Sequence, residues 1–191
     1  MITSQPDFDI LERGPVSEKF LERNIHTFKE AMVFIRNLPY GRNPDKNDLL
    51  TIFSDGCGTC STKHALLKQL ADENRFEGLQ LFLGIFEMNP ENSPSVKDTL
   101  KANKLAYVPE AYNYLRYKGQ VIDCTRTAWN TGAIMEKIIE EAEIQPSQIT
   151  TYKVALHKKF LTHWLLTNSD IPYDLAKIWE IREQCIADLA K

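Results

Sequence analysis

The sequence contains no long hydrophobic run. No stretch approaches the roughly eighteen consecutive apolar residues that a membrane-spanning helix requires. Residues 1–7 also lack the pattern of a secretory signal peptide, which is a basic region followed by an apolar one. We therefore expect a cytoplasmic protein with no membrane partner.

Basic residues are not in excess either. The chain has 23 Lys and Arg against 26 Asp and Glu, which gives a net charge of −3, and its basic residues are scattered. Proteins that bind nucleic acid usually concentrate basic residues in one patch or stripe. The sequence thus predicts no nucleic-acid partner.

Cysteine is scarce as well. The four cysteines are too few and too unevenly spaced for a disulfide framework, and the four histidines show no metal-ligand spacing. We expect no metal and no cofactor. The cysteines are Cys57, Cys60, Cys124 and Cys185.

The chain does have enough apolar residues to fold on its own. With 43% hydrophobic residues over 191 positions, we expect one domain, 1–191, with a substantial core. Hydrophobic periodicity and turn residues predict both helices and strands. The predicted helices cover about 17–37, 59–73, 95–103, 131–142, 148–166 and 173–190; the predicted strands cover about 79–86, 111–117 and 120–125.

The stretch 55–67 holds the best candidate for chemistry. Residues 48–54 form either a short buried strand or the lead into the cysteine-bearing helix. Asp55-Gly56 is a turn, and apolar residues then recur at helical spacing. Cys60 is therefore predicted near a helix N-terminus, where unpaired N–H groups and the helix dipole favour a thiolate. We infer that Cys60 is a candidate nucleophile.

A second interpretation uses both cysteines of this stretch. Cys57-Gly58-Thr59-Cys60 between a strand and a helix is the local arrangement of a thioredoxin-like dithiol, which predicts a thiol–disulfide oxidoreductase. Against it, Thr59 is a good helix cap, which makes Cys60 rather than Cys57 the first-turn residue.

A wider pattern favours Cys60 alone. The run Gly58-Thr59-Cys60-Ser61-Thr62-Lys63-His64-Ala65-Leu66-Leu67, followed by 109–115 and Ile122-Asp123-Cys124-Thr125, resembles the transglutaminase-like superfamily, and most closely a small subgroup of it. The resemblance covers about 38–125. It implies an α+β, papain/transglutaminase-like fold with a central cysteine-bearing helix packed on an antiparallel sheet, a core at about 38–125 and a helical extension at about 131–191. It also implies acyl transfer or amide hydrolysis.

Carried over to this sequence, the family triad is incomplete. Cys60 matches the nucleophile and Asp123 the orienting carboxylate, but Tyr112 stands at the position of the histidine. If Lys118-Gly119 is a two-residue turn, Tyr117 pairs with Gln120. Counting outward from the turn, Tyr114 then faces Asp123 and Tyr112 faces Thr125. Tyrosine, with a pKa near 10, is a poor base at neutral pH.

Three further residues are possible auxiliaries of the site. His64 lies one helical turn after Cys60, Glu110 precedes Tyr112 by two residues, and Cys57 neighbours Cys60. Three hypotheses therefore stay open: an impaired cysteine acyl-transfer site, a non-catalytic module that binds a small molecule or peptide in the same cleft, and the oxidoreductase. The aromatic residues Tyr107, Tyr112, Tyr114, Tyr117 and Trp129 fit either an aromatic cleft or the core.

Overall fold

The structure, a computed structural model, describes residues 5–127 and 130–190. Over these residues it is an α+β protein with eight α-helices and a four-stranded antiparallel sheet, which confirms the predicted class. The chain divides into two units. The first unit takes the described parts of 1–83, 113–129 and 142–150, and the second takes those of 84–112, 130–141 and 151–191.

Four helices lie in the first unit: α1 (Pro15–Leu21), α2 (Phe28–Asn37), α3 (Thr51–Asp55) and α4 (Cys60–Glu73). All eight residues from Cys60 to Leu67 are buried, so α4 is surrounded by protein over its first two turns. Helices α1 and α2 pack against it. The predicted helix at 59–73 is confirmed. The segment 48–54 does not form the strand that was one alternative, since most of it belongs to the short helix α3 that precedes α4.

The predicted single helix at 17–37 is wrong, because the chain forms α1 and α2 with a break between them. Asn24 adopts a left-handed backbone conformation with φ 57°, which ends α1. Thr27 then starts α2 with a capping box, in which its hydroxyl accepts from the Glu30 N–H and the Glu30 carboxylate accepts from the Thr27 N–H. Local capping outweighs the apolar periodicity that runs through both helices.

The sheet has the strand order β3-β2-β1-β4, with β1 at Leu79–Met88, β2 at Val108–Tyr117, β3 at Gln120–Ile122 and β4 at Ile138–Ile144. Strands β2 and β3 form the predicted hairpin, and Tyr117 pairs with Gln120 as expected. Both turn residues, Lys118 and Gly119, have positive φ, which suits a tight turn between right-twisted strands. Strand β3 ends at Ile122, so the pairing predicted for Asp123 and Thr125 lies beyond the ladder.

The predicted helix at 131–142 is also wrong beyond its first turn. Helix α6 covers only Thr131–Met135, and the following residues form strand β4. Ile139, which the apolar pattern of a helix at 131–142 would turn inward, is 47% exposed on this strand. The adjacent β-branched residues Ile138 and Ile139 suit a strand. The hydrogen bonds of β4 with β1 favour the strand over the helix that the apolar spacing predicted.

The second unit contains the remaining helices α5 (Lys97–Ala102), α7 (Thr151–Thr167) and α8 (Leu175–Leu189). The last two match the predicted helices at 148–166 and 173–190. Asp174 caps α8 by accepting from the Lys177 N–H. Ile178, Ile181 and Cys185 lie on its buried side. No helix in the described ranges is both long and apolar enough to cross a membrane.

We predict that the start of α4 depends on the Thr59 hydroxyl. It accepts from the Thr62 N–H in a buried capping box, so Thr59→Val should lower the free energy of unfolding by about 1 kcal/mol in urea titrations. Thr59→Ser keeps the acceptor and serves as the control. Equal losses in both variants would contradict a capping role.

Candidate functional site

Cys60 is the first residue of α4 and lies in the first unit. Its side chain is 7% exposed, and its Sγ lies 3.9 Å from the Ser61 hydroxyl oxygen. A thiol at this position meets the positive end of the dipole of a 14-residue helix. The sequence prediction that Cys60 sits at a helix N-terminus agrees with this position.

The loop before Cys60 is held by a polar network around Asn43. The Asn43 amide nitrogen donates to the Asp55 carboxylate at 2.9 Å and to the Cys57 carbonyl oxygen at 3.1 Å, while its oxygen accepts from the Thr62 hydroxyl at 2.9 Å. Asn43 itself is 2% exposed. These bonds tie the loop to the first turn of α4.

Cys57 occupies this loop and differs from Cys60 in its surroundings. It is half-buried beside Gly41, where a Cβ atom would lie 2.9 Å from the Cys57 sulfur. Gly41 is therefore required for the close approach of the two segments. All four cysteines are free thiols in the structure.

His64 is fully buried and has main-chain partners at both ring nitrogens. Nδ1 lies 2.7 Å from the Cys60 carbonyl oxygen, and Nε2 lies 2.7 Å from the Cys124 nitrogen. Because a carbonyl only accepts, Nδ1 carries the proton, and because an N–H only donates, Nε2 accepts. These partners define a neutral imidazole that connects α4 to the chain after β3.

Asp123 lies next to this histidine. Its side chain is 5% exposed, and one carboxylate oxygen is 3.5 Å from His64 Nε2 and accepts from the Thr125 N–H at 2.8 Å. The contact with His64 is not an ion pair, since Nε2 already accepts from Cys124. The structure therefore brings Asp123 and His64 together around the main chain of residues 123–125.

Lys63 is a buried cation that the sequence reasoning missed. It is 0% exposed, and its Nζ donates to the carbonyl oxygens of Leu38 at 2.5 Å and Thr125 at 2.7 Å. Burial lowers the pKa of Lys63 to about 8 and outweighs the opposing attraction of the Asp123 carboxylate. A signal was present in the sequence: Lys63 shares its helical face with Cys60, Leu67 and Leu70, a stripe that is otherwise apolar.

Cys124 is an inert neighbour of this cluster. It is 0% exposed, and burial raises the pKa of its thiol to about 11. The guanidinium Nη2 of Arg36 lies 4.0 Å from the sulfur. A buried thiol of this kind packs as a small apolar side chain.

Tyr112 and Glu110 belong to the second unit. Tyr112 is 3% exposed and makes an edge contact with the ring of Phe86. In the first unit, Tyr114 is 0% exposed and stacks on Phe82. These two tyrosines are core residues, which favours the core interpretation of the aromatic cluster; Trp129 lies outside the described residues.

Glu110 is engaged in a buried ion pair. Arg182 of α8 donates to both of its carboxylate oxygens, at 2.6 and 2.5 Å. Burial alone raises the pKa of Glu110, but the Arg182 guanidinium outweighs it and holds that pKa below its usual value. His157 lies close to the pair, donates from Nε2 to the Pro109 carbonyl oxygen at 2.8 Å, and has its pKa lowered by burial. Glu110 is therefore a structural partner of α8.

Comparison of the chain with protein-family models, with curated proteins and with solved structures gives no match in any of the three. The described residues contain no group of three or more His, Cys, Asp and Glu side chains able to hold a metal ion. What the structure defines is a class: an α+β protein in which a cysteine begins a buried helix, followed in the next turn by a buried lysine and a buried histidine.

We predict that His64 is a structural residue. Replacing it with Ala removes the acceptor of the buried Cys124 N–H and leaves a cavity, so the free energy of unfolding should fall by about 3 kcal/mol. The exposed His26 provides the control, with an expected change below about 0.5 kcal/mol for His26→Ala. Similar small losses in both variants, measured by urea unfolding, would rule out this role.

We predict an alkaline rise in stability that depends on Lys63. Its pKa is lowered from 10.5 to about 8, so between these pH values the unfolded chain binds more protons and the free energy of unfolding increases with pH. The free energy of unfolding of the wild type, minus that of Lys63→Met, should increase by up to about 1.4 kcal/mol per pH unit from pH 8 to 10.5.

Denaturant titrations over this pH range measure the effect. Lys177→Met, which replaces an exposed lysine, serves as the control and should keep the wild-type profile. A difference between the wild type and Lys63→Met that stays constant with pH would contradict the prediction.

Proposed function

We propose that the chain is a transglutaminase-like protein whose cysteine-centred site, of a type suited to acyl transfer or amide hydrolysis, lacks its general base. On this proposal Cys60 and Asp123 keep the family positions, and the site binds a small molecule or peptide without turning it over. The family assignment rests on the sequence resemblance, and the geometry of the first unit supports the loss of the base.

The observation that carries the proposal is the bonding of His64. A papain-like cysteine is activated by an imidazole that accepts the thiol proton and stays beside the thiolate as a cation. In His64 the Nδ1 proton is directed at the Cys60 carbonyl oxygen and the Nε2 lone pair at the Cys124 N–H. Neither nitrogen is left to accept a proton from the Cys60 thiol.

The other candidate bases supply no imidazole. By the sequence resemblance, Tyr112 stands at the position of the family histidine, and a tyrosine hydroxyl ionises only near pH 10. Glu110 is committed to Arg182, and a carboxylate near a thiolate would oppose its formation. Lys63 supplies positive charge near the helix start, but its ammonium is a donor with no lone pair while it is protonated.

We predict that Cys60 behaves as an unactivated thiol. At pH 6, iodoacetamide should alkylate Cys60 no faster than it alkylates a free-cysteine peptide, because no imidazolium stabilises the thiolate. Mass spectrometry of the modified peptide gives the rate, with Cys60→Ala to assign the signal and Cys57→Ala as the matched control. If Tyr112 occupies the place of the family histidine, as the resemblance implies, Tyr112→His should restore a base and raise the Cys60 rate at pH 6 on the order of 100-fold.

Other outcomes discriminate among the hypotheses. Rapid alkylation at pH 6 that disappears in Cys60→Ala would identify an active nucleophile and contradict the proposed loss of the base. A reversible loss of two hydrogens that requires both Cys57 and Cys60 would favour the oxidoreductase. Tyr112→Phe, which adds no base, should leave the rate unchanged; an equal gain in Tyr112→Phe and Tyr112→His would contradict the placement of the missing histidine.

A further inference from the structure

Helix α7 in the second unit carries apolar residues on two faces. One face is buried: His157 bonds to the Pro109 carbonyl, and the Trp164 indole N–H donates to the Tyr107 hydroxyl at 2.9 Å. A second stripe, formed by Tyr152, Leu156 and Phe160, recurs every four residues on another side of the helix. A helix that only covers its own core needs one such face, so the second stripe calls for an explanation.

The second stripe lines a groove. The groove has a volume of about 510 Å³ and is bounded by the stripe, by Lys159 and His163 of the same helix, and by Glu140 of β4. Tyr152 is 43% exposed in its wall, while Leu156 and Phe160 are half-buried. Sites for small molecules have this composition, mostly apolar walls with a few polar groups, and volumes of about 300–1,000 Å³.

The charged groups of the groove are available to a ligand. Lys159 and His163 are one helical turn apart, and over the described ranges neither side chain has a hydrogen-bond or ion-pair partner. The neighbouring Lys158 differs, since its ammonium lies 4.8 Å from the ring centroid of Trp179. Two adjacent donors can bind the two oxygens of one ligand carboxylate. The Glu140 carboxylate would repel a second acidic group on the same ligand.

We propose that this groove binds an amphipathic monocarboxylate, with its apolar body on Tyr152, Leu156 and Phe160 and its carboxylate accepting hydrogen bonds from Lys159 and His163. This groove lies in the second unit and shares no residue with the surroundings of Cys60. The charges of the groove select the ligand, since two donors on the helix bind one carboxylate and the acid on the strand disfavours a second. The ligand that we infer is therefore a free carboxylate, and not a membrane surface or a second copy of the chain.

Decanoate is the probe, titrated by calorimetry into the full chain below its micellar concentration. Lys159→Gln should weaken decanoate binding roughly five- to tenfold, because a charge-assisted hydrogen bond is lost. Lys158→Gln should bind as the wild type does. Decanol should bind the wild type more weakly than decanoate does, and its affinities for the wild type and for Lys159→Gln should be equal. Leu156→Gln should weaken both ligands, and Cys60→Ala should weaken neither.

Several results would overturn the proposal. Equal affinities of the wild type and Lys159→Gln for decanoate would show that the charge is not recognised, and undetectable binding would exclude the ligand class. Concentration-dependent self-association in sedimentation velocity that is lost in Leu156→Gln would assign the face to a second copy. Binding to vesicles of anionic phospholipid without binding to free decanoate would assign it to a membrane surface.

Discussion

Two buried side chains in α4 hold the first unit together around the cysteine. Lys63 donates to the carbonyl oxygens of Leu38 and Thr125, and His64 accepts from the Cys124 N–H. Segments that are far apart in the chain are thereby fixed to one helical turn. Buried main-chain groups that lose water need such partners, and each that is left unpaired costs about 1–3 kcal/mol. The position of residues 123–125 beside α4 therefore depends on these two side chains.

The same interactions limit the chemistry available at Cys60. An imidazole that binds two main-chain groups is rigid, neutral and without a free lone pair, and so it stabilises the fold instead of accepting a proton. The buried Lys63 ammonium compensates in part, because it places positive charge in the turn that follows Cys60. A side chain whose polar atoms are all bonded to the main chain has none left for proton transfer, and for this reason we propose a binding role for the site instead of turnover.

Much of the fold could be predicted from the sequence where local signals and tertiary contacts agree. Helix α4 follows from the Thr59 cap and its apolar spacing, and the hairpin register follows from the two-residue turn. The predictions that are wrong lie where the signals conflict. Apolar spacing continues across 17–37, but capping at Thr27 interrupts the helix, and residues 138–144 gain more from pairing in the sheet than from helical spacing.

The position of Cys60 was predictable from the sequence, but the bonding of the other candidate residues was not. Sequence spacing locates Cys60 at a helix start, yet only three-dimensional distances show that His64 faces the main chain and that Glu110 is taken by Arg182. This difference has a physical cause: helix caps act over three or four residues, whereas Cys124, which donates to His64, and Arg182, which binds Glu110, lie 60 and 72 residues away along the chain. A polar residue within an apolar stripe of the sequence, as Lys63 is, thus signals that a buried partner exists, but the identity of that partner is set by tertiary structure.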